Sequence, residues 1–307
     1  MYRKLLILLL AAALLCGCAA QAPEEGYTFT DDLGREVTVT SHQRVAALLG
    51  SYADIWYLAG GTVCAAPEDA FEDFDLPLTE DTVNLGATKQ LSLESLLAAQ
   101  PDLVLASTNT AQHLQWQEAL EGAGVTVAYF DVSVFEDYLR MLKICTDITG
   151  MPERYEQYGT AVKAQCDAVL ERCAGQEPQS VLVLRASAAR IRAKNSSVAV
   201  LGAMLKELGC INIADSDTML LENLSVESIL LQNPDKIFIV QEGNDAEGSR
   251  QNVQKLFAEN PLWQELDAVK NGQVYDMDKH LFNLKPNARW GEAYELLEEI
   301  LYGEDQA

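Results

Sequence analysis

The sequence LSLESLLAAQPD at residues 91–102 recurs as LSVESILLQNPD at residues 224–235. Seven of the twelve positions are identical, and the two copies are offset by 133 residues. Each copy predicts a short helix with a serine N-cap, a glutamate in the first turn and a proline after the end. An apolar run typical of a buried strand follows each copy, at 103–106 and 236–240. Two copies half a chain apart, rather than many at short spacing, indicate two similar lobes.

Strand and helix patterns alternate in both predicted lobes, which we place at 27–133 and 178–307. The first begins with a predicted hairpin, and its 50–52 segment, Gly-Ser-Tyr, predicts a turn into a helix over 53–58. The second lobe ends in an amphipathic helix over 290–302. This alternation is typical of lobes with mostly parallel central sheets. The predicted fold class is therefore α/β, with two similar lobes.

The segment at 134–177 between the lobes has no strand pattern and predicts a helical connector. Gly150 and Pro152 divide it, and proline is well tolerated in the first turn of a helix. A helix from Pro152 to Cys173 would be about 33 Å long, which is enough to bridge two lobes.

The N-terminus predicts a signal peptide over 1–17. Its apolar run at 5–15 is shorter than the roughly 20 residues that a membrane-spanning helix needs. The quartet Leu15-Cys16-Gly17-Cys18 resembles a bacterial lipobox, in which the last cysteine receives the lipid. Cys18 would then be the first mature residue, anchored to the outer face of a membrane, with 18–26 as a tether. A plain secretory signal with incidental cysteines is the alternative.

Composition narrows the function classes. The chain has 46 acidic residues against 22 Lys and Arg, a formal net charge of −24 that argues against a nucleic-acid partner. The cysteines outside the signal segment lack the paired CxxC spacing of zinc or thioredoxin-type sites, and we expect most of them in the core. They are Cys64, Cys145, Cys166, Cys173 and Cys210.

The lipobox, the duplicated helices and the opening DDLGREV at 31–37 resemble the class III solute-binding proteins of ABC importers. These are receptors for ferric siderophores, haem and cobalamin, and the resemblance covers nearly the whole mature chain. It implies two α/β lobes joined by a single long helix, with a ligand cleft between the lobes. It also implies a monomeric receptor without a cofactor or enzymatic activity, which delivers its ligand to a permease driven by partner ATPase subunits.

The same resemblance assigns permease docking to one glutamate on each lobe. The matching positions are Glu94 and Glu227, one in each copy of the repeat. The alternative is that each carboxylate only complements the N-terminus of its own helix, an effect of about 0.3–1 kcal/mol.

Basic residues are unevenly distributed in this acidic chain. No acid occurs from Pro178 to Lys206, and a strand at 190–194 would place three bases on one face. A second acid-free window spans 279–291, and Lys89 is the only base from 45 to 139. Alternatively, the alternating bases at 190–194 are only the solvated edge of a sheet.

Ligands of open α/β sheets bind beyond the carboxyl ends of the strands, where these bases are expected. We therefore predict a cationic cleft for a ligand carrying carboxylates, catecholates or phosphate, with a ferric siderophore favoured and haem or a corrinoid as alternatives. The predicted ligand-binding residues are Ser51, Tyr52, Lys89, Asn109, Arg185, Arg190, Arg192, Lys194, His280, Phe282 and Lys285.

The haem alternative and two weaker ones, a metal-ion receptor and an enzyme, make different demands on the residues. Haem would make His280 and Tyr52 candidate iron ligands, whereas a siderophore needs no direct metal ligand from the protein. A zinc or manganese receptor needs clustered histidines, but the three in the sequence are widely spaced. An extracytoplasmic enzyme is disfavoured because GxSxG, HExxH and P-loop motifs are absent from the sequence.

Overall fold

The computed structural model describes residues 26–303, so the predicted signal peptide, most of the tether and Cys18 lie outside the described residues. The first lobe contains a hairpin and a five-stranded parallel sheet in the order β5-β4-β3-β6-β7. The hairpin pairs β1 (Tyr27–Thr30) with β2 (Glu36–Val39). The sheet consists of β3 (Val45–Ala47), β4 (Val63–Ala66), β5 (Val83–Asn84), β6 (Leu103–Ser107) and β7 (Thr126–Phe130).

The second lobe repeats this arrangement with parallel strands in the order β10-β8-β11-β12, and a short strand, β9, pairs antiparallel with β8. The strands are β8 (Ser180–Ala186), β9 (Ile191–Ala193), β10 (Ile211–Asn212), β11 (Lys236–Gln241) and β12 (Val274–Met277).

Helices cover both sheets and connect the lobes. The first lobe has α1 (Gly50–Leu58), α2 (Glu68–Glu72), α3 (Leu93–Ala98), α4 (Ala111–Gln115) and α5 (Gln117–Gly122). The connector has α6 (Phe135–Thr149), α7 (Pro152–Tyr155) and α8 (Ala161–Cys173). The second lobe has α9 (Val200–Glu207), α10 (Thr218–Glu222), α11 (Val226–Gln232), α12 (Ala246–Glu259), α13 (Asp267–Lys270), α14 (Lys279–Phe282) and α15 (Trp290–Tyr302).

The sequence repeat is also a structural repeat, which confirms the prediction of two similar lobes. Gln100 and Asn233 follow the two repeat helices at equivalent positions, and both have a left-handed backbone, with φ of 50° and 43°. Two residues later, the Asp102 carboxylate accepts a 3.1 Å hydrogen bond from the Arg44 backbone N–H before β3. Its counterpart, Asp235, accepts one of 2.7 Å from the N–H of Ser180 at the start of β8. Each repeat therefore fixes its own strand to the neighbouring strand of its sheet.

The connector is helical, as predicted. Its first helix ends at Gly150, which has a left-handed backbone with φ of 70°. Pro152 then begins a helix that runs to Cys173, with one π-helical turn at Glu156–Thr160. The final helix of the chain packs against α8 of this connector.

One apolar core extends through both lobes and the connector. Where they meet, the rings of Phe135 and Trp290 lie 5.6 Å apart between centroids. The five cysteines within the described residues are free, and all but Cys64 are buried. Across residues 26–303, no helix is both long enough and apolar enough to cross a bilayer.

Candidate functional site

A cavity of about 430 Å³ lies between the two lobes. Its first-lobe wall comes from α2 and from the loop after β5, and its second-lobe wall comes from the ends of β8 and β11 and from α14. The lining residues are Glu68, Asp69, Glu72, Asp73, Ala87, Thr88, Lys89, Arg185, Glu242, Gly243, Asn244, Lys279, Asn283 and Leu284. The cavity therefore lies at the carboxyl ends of parallel strands, where open α/β sheets bind ligands.

A basic cluster forms the second-lobe side of this region. Arg185 and Arg192 are direct partners across the antiparallel pair of β8 and β9, so two guanidinium groups extend from facing positions. The Nε atoms of both arginines are buried and have no hydrogen-bond partner among the described residues. Burial lowers the pKa of Arg185, and burial together with the two arginines lowers the pKa of Lys194. Among the described residues, no acid pairs with the Nε donors of these two arginines.

Glu242 is the carboxylate closest to this cluster. It follows β11, and its backbone N–H donates a 2.7 Å hydrogen bond to the Ala186 carbonyl at the end of β8. Its Oε2 lies 3.4 Å from Arg192 Nη2, and its Oε1 lies 3.6 Å from Lys89 Nζ of the other lobe. Burial alone would raise the pKa of Glu242, but the surrounding cations bring it below its ordinary value.

Beside Lys89, the first-lobe wall carries four acids, which the prediction of a cationic cleft did not include. Asp69 accepts a 3.2 Å hydrogen bond from the Gly50 backbone N–H, and burial raises the pKa of its carboxyl. Asp73 accepts one of 2.6 Å from Lys279 Nζ of the opposite lobe. The sequence held a signal for this wall: β4 ends at Ala66, so the strand-end rule also places the acids that follow it at the cleft.

Three predicted ligand-binding residues, Ser51, Tyr52 and Phe282, are buried instead. Gly50, Ser51 and Tyr52 form the first turn of α1 rather than a loop before it, which turns the Tyr52 side chain inward. Tyr52 is 1% exposed, and its hydroxyl donates a 2.8 Å hydrogen bond to the Phe130 carbonyl. Phe282 is completely buried and is likewise a core residue.

The remaining predicted residues are not among those that line the cavity, and they differ in exposure. His280 is held at 2.8 Å from the Asp278 carboxylate. Asn109 is exposed and donates to Asp131 at 2.7 Å, and Arg190 is exposed in the turn before β9. Burial lowers the pKa of Lys285 to about 8, with Asp131 opposing that effect. Of the predicted set, Lys89 and Arg185 line the cavity directly.

A contact between the lobes was missed by the sequence analysis. Asn287 is fully buried and has a left-handed backbone, with φ of 50°. Its Nδ2 donates hydrogen bonds of 2.9 Å to the Ser51 carbonyl and 2.7 Å to Asp54 Oδ2 of the first lobe. Burial raises the pKa of Asp54, and this hydrogen bond opposes the rise. Asn287 therefore fixes the last helical segment to α1.

Glu94 and Glu227 are exposed at the second position of α3 and α11. The hydroxyls of Ser92 and Ser225 cap these helices by accepting from backbone N–H groups at 3.1 and 3.3 Å. Each serine satisfies one N–H group of its helix terminus, and the Glu227 carboxylate also accepts a 3.1 Å hydrogen bond from the Ser225 hydroxyl. No group of three or more His, Cys, Asp or Glu side chains within 26–303 is arranged to hold a metal ion.

Comparison with known proteins adds independent observations. A family model described as periplasmic binding protein matches residues 45–281. The Fe(3+)-citrate-binding protein YfmC of Bacillus subtilis is 24% identical over 89% of this chain and 88% of its own length. The putative ABC transporter substrate-binding lipoprotein YhfQ of the same organism is 23% identical over 92% of this chain and 91% of its own. The structure of S. aureus IsdE complexed with heme superposes with a TM-score of 0.68 at 17% identity, over 84% of this chain and 98% of that one.

Proposed function

This chain belongs to the periplasmic binding protein family, and we propose that it is the extracytoplasmic receptor of an ABC importer for a ferric siderophore-type complex. It captures the complex between its lobes and delivers it to a membrane permease. Partner subunits supply the ATP hydrolysis, and the receptor itself is a monomer without enzymatic activity or a cofactor.

The observation that carries this proposal is the basic cluster beside the cavity. Arg185, Arg192 and Lys194 lie near the Glu242 carboxylate, and within residues 26–303 both buried guanidinium Nε atoms lack partners. A buried donor without a partner costs free energy, so the cluster is stabilised by an external anion that accepts these hydrogen bonds. Lys89 and Lys285 supply further positive charge from other sides. Carboxylate or catecholate groups of an iron chelate have the charge that this cluster requires.

Haem is the second candidate, because a haem-binding protein shares the fold. A haem receptor needs a side chain that ligates the iron. Tyr52 is buried and its hydroxyl is bonded to the Phe130 carbonyl, so it is not available to iron. His280 pairs Nδ1 with Asp278 and holds Nε2 at 3.8 Å from Asp73, a carboxylate of the cavity wall. The donor set favours recognition of a chelate's anionic groups over direct ligation of iron. A corrinoid phosphate would use the same cluster.

The permease-docking role belongs to Glu94 and Glu227, which extend from equivalent helices of the two lobes. Lipid attachment at Cys18 anchors the receptor to the outer face of the membrane, in line with the lipoprotein named among its relatives. The cavity then faces the extracytoplasmic space, where chelates are encountered.

The test separates docking from capture. The variant carrying Glu94→Ala and Glu227→Ala is expected to bind ferric citrate, or whichever chelate the wild type binds, with unchanged affinity. Cells that carry this variant in place of the wild-type receptor are expected to lose uptake of the radiolabelled complex. A matched control replaces Glu118 and Glu247, which are exposed first-turn glutamates of α5 and α12. Normal uptake by the Glu94/Glu227 variant, or equal loss in the control, would overturn the docking role.

A further inference from the structure

The single carboxylate at the basic cluster has a geometry that capping or packing does not explain. Glu242 lies between two cations from different lobes, at 3.4 Å from Arg192 and 3.6 Å from Lys89. Charge-assisted hydrogen bonds between a cationic N–H and a carboxylate are normally about 2.7–2.9 Å long. By contrast, Lys279 and Asp73, which also join the two lobes, are 2.6 Å apart. The two cations thus hold Glu242 more loosely than they would hold a carboxylate at the ordinary hydrogen-bond distance.

The cations around Glu242 outnumber it. Arg185 and Arg192 face each other across a strand pair, an arrangement in which like charges destabilise a sheet. Lys194 lies close enough to both arginines for them to lower its pKa, and Lys89 approaches from the other lobe. One loosely bound carboxylate offsets only part of this positive charge, and no residue that the structure describes accepts from the Nε donors of the two arginines.

We infer that Glu242 sets the charge specificity of the cleft by competing with the ligand's anionic groups for Arg192 and Lys89. This inference rests on the proposed function, since it concerns the same cleft. A ligand with one carboxylate would replace Glu242 at the cations without a net gain in contacts. A ligand with two or more anionic groups also reaches the unpartnered donors of Arg185 and Arg192. The cleft therefore selects multiply charged chelates over singly charged ones.

The position of Glu242 supports a role in selection rather than in folding. Its backbone is already fixed by the hydrogen bond to Ala186, so the side chain is not needed to place the end of β11. Its side chain is 21% exposed, which leaves it room to move away when a ligand anion takes its place. Removing its charge is expected to leave the strand end intact and to free both cations.

The test replaces Glu242 by glutamine and measures affinity by calorimetry, with iron-free citrate as a simple polyanion and ferric citrate as an iron chelate. Glu242→Gln is expected to bind iron-free citrate on the order of tenfold more tightly than the wild type, with the gain shrinking as salt is raised. It is also expected to bind acetate, a single carboxylate, measurably more tightly than the wild type. The matched control is Glu247→Gln, which removes the same charge from an arginine-paired glutamate on the exposed face of α12.

The outcomes separate the inference from the proposed function. Unchanged or weaker citrate affinity in Glu242→Gln, or no measurable citrate binding by either protein at 10 mM, overturns the inference. An equal gain in Glu247→Gln also overturns it, because the effect would then be a change in net charge alone. If wild type and variant bind no iron chelate, the proposed function fails, and the citrate comparison still decides the role of Glu242. Glu242→Ala is a second variant in which any hydrogen bond made by the glutamine amide is absent.

Discussion

Replacing Arg185 by methionine is expected to weaken ligand binding without weakening the fold. The Arg185 side chain lines the cavity and faces Arg192 across the strand pair, and its buried Nε has no partner in the described part of the chain. A hydrogen bond from a charged donor to a ligand carboxylate contributes about 2 kcal/mol, so its loss corresponds to about thirtyfold weaker binding. Methionine keeps much of the side-chain volume while removing the charge.

The same substitution removes a like-charge pair. Like charges directly opposite on paired strands destabilise a sheet by up to about 1 kcal/mol, and burial already disfavours the charged form of Arg185. The ligand-free Arg185→Met protein is therefore expected to melt about 2 °C higher than the wild type. A higher melting temperature is unusual for the substitution of a buried arginine, because most buried arginines are paired with an acid that the substitution would leave without its partner.

Calorimetric titration with ferric citrate and thermal unfolding followed by circular dichroism check the two expectations together. The matched control is Arg250→Met on α12, where the arginine is exposed and 2.7 Å from Glu247. This control is expected to leave the affinity unchanged. A lower melting temperature together with unchanged affinity in Arg185→Met would refute the reasoning, since Arg185 would then be a structural residue.

Three further substitutions test other contacts. Asn287→Ala is expected to lower the free energy of unfolding, measured by urea titration, by about 2–4 kcal/mol, because it leaves the buried Asp54 carboxylate without its amide donor. A loss below about 0.5 kcal/mol would show that this contact does not hold the lobes together. Burial lowers the pKa of His113 to about 4, so the unfolded chain takes up a proton that the folded chain does not as the pH falls from 6.5 to 4. The free energy of unfolding is therefore highest above pH 6.5 and falls by roughly 3 kcal/mol as the pH is lowered through this window. His113→Asn is expected to abolish this part of the pH dependence. An unchanged pH profile in the variant would contradict the explanation. Tyr52→Phe is expected to leave the affinity for every chelate and for hemin unchanged, because its hydroxyl bonds the Phe130 carbonyl, and loss of hemin binding would disprove this.

The two-lobed fold was predictable because the repeat carries local signals that act independently of the rest of the chain. A serine cap, a stripe of apolar residues and a terminating Pro-Asp specify a helix and the start of a strand wherever they occur. The same signals predicted the connector, since Gly150 and Pro152 end and begin helices by their own backbone preferences.

The start of α1 was predicted wrongly for a tertiary reason. Gly50-Ser51-Tyr52 has the composition of a turn, but the structure continues the helix back to Gly50. A Cβ at Gly50 would lie 2.9 Å from the Phe74 ring, so the glycine is required by this close approach rather than by a turn. Phe74 is distant in sequence from the strand that precedes α1, and its position cannot be deduced from local patterns. The role of Tyr52 was wrong as a consequence.

The chemistry of the cleft was predictable on only one side. The basic cluster was visible because cations without nearby acids are unusual in this chain, and strand alternation placed them together. The acids of the opposite wall were not distinctive among the 46 acidic residues of the sequence. Asn287 gave no signal at all, because its two partners lie in the other lobe.

Calorimetric titration of the soluble chain from Ala19 onward with ferric citrate, other ferric siderophores, hemin and cobalamin tests the central claim most directly. Calorimetry is preferred to intrinsic fluorescence because all four tryptophans are buried and none lines the cavity. We expect saturable binding of one anionic iron chelate at a ratio of one to one, with affinity that falls as salt is raised and is reduced in Arg185→Met and Arg192→Met. Binding of hemin alone, or chelate binding indifferent to both substitutions, would contradict the assignment of the basic cluster as the ligand site.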